Sequence, residues 1–91
     1  MSLPVLIDPT TAAAMAANSD RLLDMGTSLL DQGLPAEIAD TLADHLNAVT
    51  LANELAWAHE SDNPADRALH HAASQLKLWH LFQIDTLLSP L

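Results

Sequence analysis

Residues 76–91, LKLWHLFQIDTLLSPL, put apolar side chains around the whole circumference of a helix. On a helical wheel Leu76, Ile84 and Leu87 point one way, Leu81 and Leu88 another, and Leu78 and Phe82 a third. A surface helix shows a single apolar stripe, whereas a helix apolar all round must be covered on several sides. The segment therefore predicts an all-α fold. It also predicts a partner, because the remainder of a 91-residue chain is small for that task.

Length and composition narrow the field. A chain of 91 residues forms one domain at most, here expected to span 1–91. Apolar residues make up 49% of it, which argues against disorder, although much of that share is alanine. There is no cysteine, hence no disulfide framework and no thiolate metal site. Twelve acids against three Lys and Arg give a net charge of −9. That balance lacks the basic footprint that binds phosphate backbones, and an anionic membrane surface would repel it. Nucleic acid and membrane are therefore not expected partners. The acidity either meets a basic protein partner or keeps a sticky helical protein in solution. The start, MSLPVLI, has no basic leader region, and no window reaches the ~20 apolar residues that span a bilayer. The expected location is cytoplasmic.

Outward from the terminal segment, capping residues divide the chain into three expected helices behind an arm at 1–7. Asp8 followed by Pro9 is a favoured helix start, and Gly33 a natural stop, giving a helix over 9–32. Its buried stripe is Ala12, Met15, Ser19, Leu22, Leu23, Gly26, Leu29 and Leu30. Gly26 within that stripe implies a close helix–helix approach or a kink. The GLP connection leads into a second helix over 35–60, with Ile38, Leu42, His45, Leu46, Val49, Ala52, Asn53 and Ala56 inward. Asn63 and Pro64 open a third helix over 64–88, with Leu69, Ala72, Ala73, Leu76, Trp79, His80 and Leu87 toward the core. Short connections make this a three-helix up-down-up bundle.

Once that core is assigned, an apolar surplus is left over. Leu78, Leu81, Phe82 and Leu88 lie on other sides of the terminal helix, and Leu51 and Leu55 share a side with acids on the second. These six form the candidate interface, and a twofold homodimer built through the C-terminal helix is the simplest cover. The acids Asp20, Asp24, Asp31, Glu37, Asp40 and Asp44 form the candidate surface for a basic partner. Trp57 sits at a flank where an aromatic serves either as packing or as an interface anchor.

Chemistry-bearing patterns are sparse. The histidines at 45, 59, 70, 71 and 80 never pair at i, i+3 or i+4 with one another, nor as Glu-x-x-His. Asp66 and His70 do stand at i, i+4, where a weak surface pair is the ordinary reading. No metal or cofactor is expected. No nucleophile elbow or phosphate-cradling glycine loop occurs, and neither AWAHES nor RALHHAA suits a phosphotransfer histidine. No catalytic residue is assigned. His45 and His80 fall on facing seams of antiparallel helices, at similar heights. They are either a neutral hydrogen-bonded pair or a pH-sensitive seam that protonation near pH 6 would loosen. Asn53 and Gln83, on core sides, are either edge amides or register-setting groups. The function expected is that of a small acidic, non-catalytic interaction or regulatory module. The alternatives are an acidic antagonist of a basic surface and a metal-binding or pH-responsive bundle.

Overall fold

The structure, a computed structural model, describes residues 7–58 and 63–89. Within them the chain is all-α, with four helices: α1 (Pro9–Ala17), α2 (Ser19–Gln32), α3 (Ala36–Ala58) and α4 (Pro64–Leu88). The helix expected over 9–32 is thus two helices, not one. Asn18 divides them, with φ −105° and ψ 8°. Its side-chain amide donates to the Ala14 carbonyl at 2.8 Å while its own backbone amide reaches the same oxygen at 3.1 Å. A short amide side chain that competes for the helical ladder in this way favours a local turn. The break sends α1 onto α4, while α2 packs against both α3 and α4.

The helix starts follow the capping chemistry. Asp8 accepts from the Thr11 amide at 3.0 Å and from the Thr11 hydroxyl at 2.7 Å, and Pro9 occupies the first turn. Those bonds, the hydroxyl's foremost, hold the Asp8 carboxyl below its ordinary value of 3.8. Asn63 accepts from the Ala65 amide at 2.9 Å ahead of α4. Gly33 ends α2 at φ +91°, a backbone conformation that disfavours any other residue. Gly26 answers the alternative left open by its position, because α2 is continuous through it. A methyl group there would come within 3.2 Å of one Leu46 methyl and 3.5 Å of a Leu42 methyl. Close approach to α3 is its role.

α3 and α4 form a long antiparallel hairpin and share the largest contact in the fold. At 1.5 Å per residue the 25 residues of α4 account for most of the 44 Å long axis. Leu42 and Val49 of α3 meet Leu81, Ile84 and Leu88 of α4, with Leu22 of α2, Met15 of α1 and Ile7 closing the core.

This packing turns α4 away from its expected orientation. Leu81 and Leu88, assigned above to the interface, are buried core residues, and Leu78 is packed against that core. Leu69 and Leu76, assigned to the core, are exposed. An apolar girdle has no strong preferred face, so packing against α1, α2 and α3 sets the rotation. The line that contacts all three runs through Ala73, Leu81, Ile84 and Leu88.

Candidate functional site

With α4 turned this way, a different apolar surplus emerges. Leu51 and Leu55 of α3 are 60% and 51% exposed, and Leu69 and Leu76 of α4 are 50% and 42% exposed. The hairpin register is fixed by His45 opposite His80 and by His70 beside Ala56, so the four leucines occupy the same stretch of the long axis. α2 approaches the hairpin through Leu42 and Leu46 of α3 and near Leu88 of α4. On the helical repeat, Leu51 and Leu55 lie roughly 140–180° from Leu42, and Leu69 and Leu76 roughly 100–120° from Leu88. All four therefore belong to the side of the hairpin turned away from α2. Two of these, Leu51 and Leu55, were expected from the sequence. The signal for the other two is the i, i+7 spacing of Leu69 and Leu76, opposite Leu51 and Leu55 in an antiparallel register.

The remaining expected interface residue, Phe82, is exposed but lies on another flank of α4. Trp57 is 74% exposed, and α2 explains why. Its register against α3, set by Gly26 over Leu42 and Leu46, brings its first residue level with about Leu51. Past that point this flank of α3 is uncovered by α2.

The six acids do not form one surface. Asp20, Asp24 and Asp31 lie roughly 120–160° around α2 from Gly26, which faces α3. Glu37, Asp40 and Asp44 lie roughly 140–160° around α3 from Leu42, which faces α2. All six are exposed, in two sets on opposite sides of the molecule. The α3 set continues the side that carries Leu51 and Leu55.

His45 and His80 do come together. Their Nδ1 atoms stand 2.9 Å apart in a half-buried contact between α3 and α4. The rings are 5.1 Å apart, and the Trp79 ring stands nearly edge-on to His80 at 4.8 Å and to His45 at 6.1 Å. Burial first, and the neighbouring His45 second, hold His80 below the ordinary imidazole value of 6.5.

Other polar candidates have structural roles. His70 donates from Nδ1 to the Ala56 carbonyl at 2.8 Å, near the end of α3, a function that its sequence position did not announce. Asn53 is exposed and accepts from the Lys77 ammonium at 3.2 Å. Gln83 is half-buried, and His71 is exposed. His59 lies outside the described residues. Among the described residues no three His, Asp or Glu side chains cluster as metal ligands would. An open depression of about 370 Å³ lies between α2 and the end of α4, lined by Asp24, Met25, Ser28, Leu29, Gln32 and Leu88. Its lining holds one carboxylate, Asp24, and one hydroxyl, Ser28, with no histidine, lysine or arginine beside them. Among the described residues no helix is long and apolar enough to cross a membrane.

Among the described residues the architecture defines a small four-helix, all-α fold built on one long hairpin. Comparison with protein families, curated proteins and solved structures found no match.

Proposed function

We propose that the chain is a non-catalytic interaction module that works through the outer side of the α3–α4 hairpin, self-paired as a twofold dimer. The observation that carries this reading is the grouping of Leu51, Leu55, Leu69 and Leu76, each roughly half exposed, on the side that α2 leaves bare. Single exposed leucines are ordinary, but four on one face form a patch on the order of a few hundred Å². A standard interface takes about 800 Å² from each partner, so these leucines are its centre and the flanking polar residues its rim. An antiparallel hairpin has local twofold character, which suits an isologous contact.

Light scattering across a concentration series tests the proposal. The wild-type chain reaches twice the monomer mass, and the Leu51→Glu, Leu76→Glu double variant stays monomeric with unchanged helical circular dichroism. A wild-type monomer at every concentration overturns it.

A second reading is supported by Glu37, Asp40 and Asp44, which extend the same side of α3. A basic amphipathic helix would set its apolar residues on the leucines and its cations on these acids. Salt separates the two. Added salt weakens a basic partner, but strengthens self-pairing by screening the repulsion between chains of charge −9.

A further inference from the structure

Nδ1 of His45 and Nδ1 of His80 meet at 2.9 Å, a hydrogen-bond distance, so one must donate and the other accept. In the neutral pair one ring carries its proton on Nδ1 and the other on Nε2. One added proton turns the donor into an imidazolium and leaves the contact intact, as a charge-assisted bond. A second added proton removes the acceptor. Two N–H groups then point at each other across the seam, and two positive charges share it.

We propose that His45 and His80 form a proton-limited clasp between α3 and α4, which closes with no proton or one proton added and opens when the second arrives. The clasp rests on this contact alone and stands whether or not the outer side of the hairpin has a partner. The charges nearest along the chain are Asp40 and Asp44 on α3, and Lys77 and Asp85 on α4. None of them accounts for the displacement of His80, which comes from burial and from His45, and neither α1 nor α2 contributes a charge to it. No carboxylate contributes to the shift of His80. On this proposal the two protons arrive in two steps that belong to the pair rather than to either ring. Trp79, edge-on to both rings, is a built-in reporter.

The test is a nitrogen-15 NMR titration of the histidine rings in the full chain between pH 8 and pH 5, with the Trp79 indole followed in parallel. At pH 8 one ring of the pair shows the Nδ1–H tautomer and the other the Nε2–H tautomer. The lower of two coupled steps coincides with a change at Trp79 and with loss of cross-relaxation between residues 45 and 80. His45→Gln reduces the titration to a single step at His80, which Trp79 then follows alone. The clasp is refuted if both rings carry the same tautomer at pH 8, if the two rings titrate independently, or if His45→Gln leaves a two-step change at Trp79. Should that variant not fold, the wild-type tautomers decide.

Discussion

His70 of α4 donates its Nδ1 proton to the Ala56 carbonyl of α3 at 2.8 Å. Ala56 is buried and lies near the C-terminal end of α3 as described. The bond ties one helix of the hairpin to the other. His70→Ala leaves that oxygen without its donor and is expected to cost about 1–2 kcal/mol. His71→Ala, at an exposed neighbour, stays within about 0.5 kcal/mol. Urea denaturation of the two variants measures the difference, and equal losses would remove the stabilising role of this bond.

The rotation of α4 makes an equally direct prediction. Leu81 is fully buried, so Leu81→Ala is expected to lose about 2–5 kcal/mol of stability. Leu76→Ala and Phe82→Ala remove exposed side chains and stay within about 0.5 kcal/mol in the monomer. The opposite order, with Leu76 costly and Leu81 neutral, would restore the orientation read from the wheel.

The contrast between those leucines shows where the sequence was legible. Pro64 behind Asn63 and Gly33 behind Gln32 mark chain direction through fixed dihedral preferences, so those helix ends were readable. The stripes of α2 and α3 were readable because polar residues bound them on both sides. α4 lacks such a boundary: with Leu, Phe, Trp or Ile on every side, its rotation depends on where three other helices touch it. Asn18 was missed because its effect lies in a contest between its side-chain amide and its backbone amide for the Ala14 carbonyl, and helix periodicity does not register that contest. The meeting of His45 and His80 was readable, since both lie on facing seams of an antiparallel pair. The bare side of the hairpin was half readable. Leu51 and Leu55 stood among acids, but Leu69 and Leu76 stood among other apolar residues.

Gly26 supplies a third prediction. Its missing side chain lets α2 approach α3, and an added methyl would lie 3.2 Å from the end of the Leu46 side chain. Gly26→Ala gains about 1 kcal/mol of helix propensity and displaces that flexible methyl, so its net effect stays within about 1 kcal/mol. Gly26→Val adds branches that must displace Leu42 as well and is expected to lose about 1–3 kcal/mol. Because the obstruction is Leu46, the Gly26→Val penalty shrinks in a Leu46→Ala background. A double-mutant cycle reads this coupling, and strict additivity would place the strain elsewhere.

Stability should respond to pH in two separate windows. His80 is held below 6.5 in the folded state, so the unfolded chain binds its proton first as pH falls. Its contribution is fully present above about pH 6.5 and is lost progressively as pH falls from there toward the lowered folded value. Asp8 is displaced in the same direction from 3.8, so its contribution is present above that value and disappears only in more acidic solution. Between the windows the charge of −9 acts in the opposite sense, since protonating carboxylates near pH 4 relieves self-repulsion. Added salt screens that third effect more than a half-buried contact. Urea midpoints taken at pH 8, 6.5 and 5 in moderate salt should therefore fall from pH 6.5 to pH 5 in the wild type. The fall should be shallower in His80→Gln, which keeps a hydrogen-bonding group at the seam but has no imidazole to titrate. Parallel curves for the two proteins would show that His80 does not set the pH dependence.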